Sequence, residues 1–182
     1  MISIDFEDTF SPVRAEIDRQ FSITEFYSPQ IIGDLKLMRV VIEPHRDPLL
    51  VDVYNLALGP PIGDRGVEDN VRVRHSDSSK VFSTAILFAL AFLIEYPEMI
   101  IGLDGTDDLR ATLYHSMFNV NRAHLGEYFN TIGVDWYVKL LRNQVEIERK
   151  PDGSPFFKPR PEAFDYTRTR HDLYRYYMFE LK

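Results

Sequence analysis

The chain has 182 residues, 45% hydrophobic and 27% charged, which is the balance of one compact domain and leaves no room for two full ones. Roughly 70% of the unfolded surface can be buried at such a length, so a core forms without staples; the absence of cysteine excludes a disulfide framework, a cysteine zinc site, an iron–sulfur cluster and a thiol nucleophile. The formal charge of −7 excludes a chain that is basic all over.

The first residues, Met1 to Asp8, are acidic from the outset and have no basic stretch ahead of an apolar one, so they do not read as a signal peptide. Residues 1–20 read as an N-terminal extension of a single domain spanning 1–182. From Phe21 the chain reads as antiparallel strands. Asp34 to Glu43 places Leu35, Leu37 and Val41 at period two, then turns fully apolar. Pro44 to Pro48 is a turn, since two prolines remove ladder donors. Leu49 to Leu58 follows as a central strand ended by Gly59-Pro60-Pro61. Pro60 to Asn70, rich in Pro, Gly, Asp and Asn, reads as a surface loop. Val71 to His75 alternates as a short strand, with Val71 and Val73 inward and Arg72 and Arg74 outward.

Asp77-Ser-Ser-Lys80 supplies capping side chains for a helix running to about Tyr96. Its apolar run, Val81 to Ile94, is too short to cross a hydrocarbon core of ~30 Å at ~1.5 Å per residue, so a buried helix and no membrane contact are expected. Apolar nearly all round, it is also a candidate surface for a homodimer. Met99 to Leu103 reads as a strand. Thr106 is taken as N-cap of a helix carrying Asp107 and Asp108 at its positive end, with Leu109, Leu113, Tyr114, Met117 and Phe118 on one packed side. Asn121 is taken as N-cap of a further helix through Phe129, with Gly133 ending the helical region. Trp136 to Ile147 is strand-like, Pro151 to Pro155 is a turn, and 158–172 reads as an irregular basic segment. Tyr174 to Leu181 closes the sheet. The expected fold class is α+β, an antiparallel sheet with two to three helices packed on one side.

Several of these patterns occur together in a recognisable order. Val53-Tyr-Asn-Leu-Ala-Leu-Gly59 precedes a loop with Glu68-Asp69. Ser76-Asp77 and Lys80 open the apolar helix. Gly105-Thr106 is followed by Arg110, Leu113 and Tyr114, and Phe129 to Gly133 follows a Phe-x-Ile-x-Gly pattern in outline. The arrangement resembles a family of small uncharacterised bacterial proteins, a domain of unknown function, over roughly Tyr27 to Trp136. The resemblance implies the same fold class and a bacterial cytoplasmic setting, and it supplies no mechanism.

Charge is divided unevenly. Residues 1–135 hold 11 basic and 21 acidic side chains, and residues 136–182 hold 10 and 7. Such asymmetry means either an acidic body with a basic recognition arm or two surfaces that meet within one fold. Tyr166 to Tyr177 interleaves Arg168, Arg170 and Arg175 with Tyr174, a combination that suits phosphates and bases of single-stranded nucleic acid. Arg110 and Tyr114, four apart on one helix, share a side that can hold an acidic partner.

Asp104, Asp107 and Asp108 surround a strand-to-helix corner and suit a hard divalent cation better than a phosphate, although ordinary capping accounts for the same residues. His115 and His124 lack a helical register for shared metal ligation. No phosphate-binding loop or nucleophile elbow occurs, and no cofactor is expected. The leading reading is a non-enzymatic interaction module that binds a protein or nucleic-acid partner through its basic, aromatic C-terminal face, with Arg110, Tyr114, Arg168, Arg170, Tyr174 and Arg175 as candidate binding residues. The alternative is a small metal-dependent hydrolase or nuclease built on Asp104, Asp107 and Asp108, assisted by Arg110 or His115.

Overall fold

A computed structural model describes residues 1–68, 73–142 and 145–182. The strands are β1 (Arg14–Glu16), β2 (Ser22–Ser28), β3 (Lys36–Pro44), β4 (Val53–Gly59), β5 (Pro61–Ile62), β6 (Gly66–Val67), β7 (Ile100–Asp104), β8 (Phe129–Val138), β9 (Phe157–Ala163) and β10 (Tyr176–Leu181). The helices are α1 (Ser78–Glu95), α2 (Asp108–Val120) and α3 (Arg122–Leu125). Eight strands form one sheet in the order β1-β2-β3-β4-β7-β10-β8-β9, antiparallel throughout except where β4 runs parallel to β7. The fold class is α+β, with the helices on one face, called the front.

Period-two alternation sorts each strand. Phe26, Val40, Ile42, Tyr54, Ile101 and Phe179 point to the front and pack with Val81, Ala85 and Phe92 of α1 and Phe118 of α2. Val53, Val134, Tyr176 and Met178 form a smaller cluster on the back, covered in part by Leu50 from the β3–β4 turn. α1 begins as the sequence indicates, with the Asp77 carboxylate accepting from the Lys80 amide at 2.9 Å. By length and composition its 18 residues suffice to cross a membrane. Ten of them are nevertheless buried in the core, and Ile94 is the large apolar residue it exposes.

Several boundaries differ from those expected. β4 begins at Val53 instead of Leu49, because Asp52 takes a left-handed conformation (φ 58°) and leaves Leu49 and Val51 exposed in the turn. The expected loop after Gly59 contains a hairpin, β5–β6, drawn against the back of the sheet by Arg39. That guanidinium donates to the carbonyls of Gly63 and Gly66 and pairs with Glu25 at 2.6 Å. The strand expected over Val71–His75 falls partly outside the described residues, as do Asp69 and Arg72; His75 bridges Gln30.

α2 is capped by Asp107 and not by Thr106, its carboxylate accepting from the Arg110 amide at 2.8 Å. The helix expected from Asn121 to Phe129 stops at Leu125, and Phe129 opens β8, where pairing with β10 buries it. Lys158–Pro161, expected to be irregular, belongs to β9. β9 is the sheet edge, and its even-numbered amides face β8, as the Phe164 N–H to Thr131 bond shows, so Pro159 and Pro161 lack only donors that would have faced outward. β10 does not close the sheet but lies inside it between β7 and β8. Two neighbouring glycines admit this segment's tyrosines: a Cβ on Gly102 would overlap Tyr176 on the back, and one on Gly133 would overlap Tyr174 on the front.

The N-terminal extension is tied in at its start. Ile2 and Ile4 are buried, and the Asn121 side chain, instead of capping α3, accepts from Ile4 N at 2.7 Å and donates to the carbonyls of Ile2 and Met117. Asn121→Ala removes the side-chain partner of the Ile4 N–H and the Ile2 carbonyl, whereas the Met117 carbonyl keeps the Asn121 main-chain N–H; the expected loss is about 1–3 kcal/mol in chemical denaturation. Proteolysis accelerated at residues 1–10, ahead of global unfolding, is its expected companion; a variant as stable as the parent would contradict this anchoring.

Candidate functional site

The basic, aromatic run at the C-terminus divides into three environments. Arg168 lies over the Tyr174 ring at 3.7 Å and pairs through Nη2 with Asp135 and Glu162, both at 2.7 Å, with Nη1 also donating to Asp135 at 3.1 Å. Burial works against its charge, but the hydrogen bonds and charge of Asp135, joined by Glu162, outweigh it and hold the pKa above the ordinary value. Tyr174 is fully buried; its hydroxyl donates to Glu162 at 2.8 Å and accepts from the Asp165 amide, and burial pushes its pKa up to about 12. Arg170 is on the surface beside His171. Arg175 is half exposed and donates to Asp108 at 2.8 Å.

A second region arises from the sheet itself. β4 and β7 stay paired only from Val53↔Ile100 to Asn55↔Gly102. Beyond that point Leu56, Ala57 and Leu58 pair with β3, whereas Leu103 and Asp104 pair with β10. The two parallel strands therefore diverge at their carboxyl ends, the place where open sheets leave a crevice. A small cleft of about 110 Å³ occupies the fork, lined by Asn55, Leu56, Leu58, Asp104, Arg110 and Tyr114. On the back a larger cleft of about 330 Å³ adjoins it through the same Asn55 and Asp104, and its other walls include Glu43, His45, Arg46, Trp136, Arg175 and Tyr176.

Each wall has a local reason for its position. Tyr176 lies across Gly102, and its hydroxyl donates to Asn55 Oδ1 at 3.3 Å, so one side chain links β10, β7 and β4. Its hydroxyl pKa lies above the ordinary value, chiefly through burial. His45 sits edge-on to Tyr176 at 5.2 Å, and its Nδ1 accepts from the Asp47 amide at 3.0 Å. Asp104 ends β7 and accepts from the Thr106 amide at 2.9 Å through one carboxylate oxygen.

The structure brings Arg110, Tyr114 and Arg175 to the two clefts around Asp104. Arg168 and Tyr174 belong to the ion cluster on the front, and Arg170 is separate from both. The three aspartates have separate tasks: Asp104 holds Thr106, Asp107 caps α2 and pairs with Arg110 at 3.1 Å, and Asp108 pairs with Arg175. Among the described residues no group of three or more His, Asp or Glu side chains is placed to hold a metal. His115 stacks on Phe164, while His124 packs against Phe6 and Tyr128. Glu43, Arg46, Trp136 and Tyr176 line the cleft without a sequence pattern that marks them, and His45 lies in the turn expected over Pro44–Pro48. Among the cleft residues not already singled out, Asn55 has a signal in the sequence, since it lies inside the Val53–Gly59 motif.

Burial lowers the pKa values of His45, His75 and His115 below the ordinary 6.5. The unfolded chain then binds more protons than the folded one once the pH drops under about 6.5. Stability from these three groups is present above that value and lost as pH falls through it towards their folded values. Denaturation series from pH 7.5 to 5.5 are expected to show a declining unfolding free energy, less steep in His45→Asn; an equal slope in that variant would contradict the assignment to His45.

In comparisons with known proteins, the model of a family described as a family of unknown function (DUF6934) matches residues 14–148. No curated protein and no solved structure gives a significant match.

Proposed function

We propose that this chain, which belongs to the DUF6934 family of unknown function, is a bacterial cytoplasmic, non-enzymatic binding module for single-stranded nucleic acid, received at the back cleft. The observation that carries the reading is the presence of Trp136, Arg46 and Arg175 in one cleft of about 330 Å³, with carboxylates of Glu43 and Asp104 beside them. That volume lies at the small end of ligand sites, which run from roughly 300 to 1,000 Å³, and suits one nucleotide unit better than a long tract. An indole face takes a base by stacking, and arginines take flanking phosphates. The Glu43 carboxylate accepts from an exocyclic base amine, as acidic side chains do from cytosine. The separate tasks of Asp104, Asp107 and Asp108 support binding over metal-assisted hydrolysis. The acidic remainder of the chain favours a short footprint over a broad electrostatic one.

Trp136 is the single tryptophan of the chain, so its emission reports this cleft directly. Titration with six-nucleotide single strands is expected to change that emission saturably. Two phosphate contacts, each contributing about −0.7 for single strands, give a slope of log K against log salt of about −1.4. Arg175→Ala is expected to weaken binding and make the slope shallower by about 0.7. No response to any oligonucleotide would overturn the reading, and a response to an acidic peptide alone would replace nucleic acid with a protein partner.

A further inference from the structure

The fork between β4 and β7 adds a chemical preference to the cleft. Asp104 is half-buried where the strands part, and it borders both clefts. One of its carboxylate oxygens holds the Thr106 amide at 2.9 Å; the other has no hydrogen-bond partner among the described residues. Across the fork, Asn55 accepts from the Tyr176 hydroxyl through its carbonyl oxygen at 3.3 Å, and its N–H₂ group has no hydrogen-bond partner among the described residues. The strand register puts Asn55 opposite Gly102, two positions before Asp104 and on the same face of the sheet. One vacant acceptor and one vacant donor therefore border the same opening.

Few ligand groups satisfy both. A phosphate accepts only, and the Asp104 charge repels it. An ammonium donates only and leaves the Asn55 amide unmet. A hydroxyl donates and accepts at once, and the ribose 2′-hydroxyl is the group by which a protein tells RNA from DNA. We propose that Asp104 and Asn55 form a ribose site that receives a 2′-hydroxyl, so that the single strand bound by this cleft is RNA. The proposal rests on the nucleic-acid reading given above and names which nucleic acid it is. Trp136 holds the base in the same cleft, and the hydroxyl donates to Asp104 while accepting from Asn55. Deoxyribose leaves both groups stripped of water and unpaired, a larger loss than a missing contact between exposed groups.

Trp136 emission, read during titration with RNA and DNA six-mers of one sequence and with the 2′-O-methyl form of that RNA, tests the site. RNA is expected to bind about tenfold more tightly than DNA, as for one satisfied hydrogen bond to a charged acceptor. The 2′-O-methyl strand, which cannot donate, is expected to fall to the DNA affinity; this arm uses the unaltered protein. Asp104→Asn is expected to bring the RNA affinity down to that of DNA, with a thermal unfolding curve confirming that the variant folds. Equal binding of RNA and DNA by the unaltered protein, or full affinity for the methylated strand, would overturn the ribose site while leaving the nucleic-acid reading intact. Absence of binding by every strand would overturn both.

Discussion

Tyr176 lies across Gly102 on the back of the sheet and reaches Asn55 on the far side of β7. This contact needs a glycine, since any side chain at 102 would occupy the ring's place. It also needs β10 to be inside the sheet, next to β7, where the sequence order alone would not put the last strand. Beyond Asn55↔Gly102, β7 keeps its other edge on β10 as far as Asp104 while β4 stays with β3, so the two parallel strands part. The crevice lies where the strands part, and the Tyr176 side chain, seated on Gly102 and bonded to Asn55, forms a wall of the wider cleft behind it.

The same device acts one strand away with a different result. Tyr174 lies over Gly133 on the front, where its hydroxyl meets Glu162 and its ring carries Arg168. Two residues in sequence therefore separate a scaffold tyrosine from a cleft tyrosine. The charge asymmetry is resolved in part by this segment as well: Arg168 pairs with Asp135, and Arg175 pairs with Asp108, so cations of the C-terminal quarter meet carboxylates of the acidic body. Arg168 is well shielded and gains from a local low dielectric, whereas the half-exposed Arg175 pair is of the kind that contributes little to stability and exchanges readily for a ligand anion.

Much of the fold was legible because its signals are local. The apolar run with Asp77 ahead of it could be little else than a capped core helix, and the alternation in 34–43 marked a strand. The places that failed depend on partners distant in sequence. Pro159 and Pro161 forbid a central strand but suit an edge whose free side they face, and nothing local says that β9 is an edge. Asn121 has the right chemistry for a cap, yet the arrival of Ile2 and Ile4 redirects it. The site was half legible for the same reason. Arg110, Tyr114 and Arg175 drew notice as charged or aromatic residues on recognisable elements, and all three border Asp104. Trp136, Glu43 and Arg46 come from β8, β3 and the β3–β4 turn, and only the sheet order brings them together.

The central claim is that function resides at the strand fork and the cleft behind it, not on the charged surface of the last segment. Titration of a short single-stranded RNA into ¹⁵N-labelled protein, followed by ¹H–¹⁵N correlation spectra, tests it most directly, because the Trp136 indole N–H and the Asn55 side-chain amide give signals of their own. The account predicts saturable shifts at those two groups and at the backbone amides around Asp104. Shifts confined to the Arg170–His171 turn, with Trp136 and Asn55 unmoved at saturation, would contradict it.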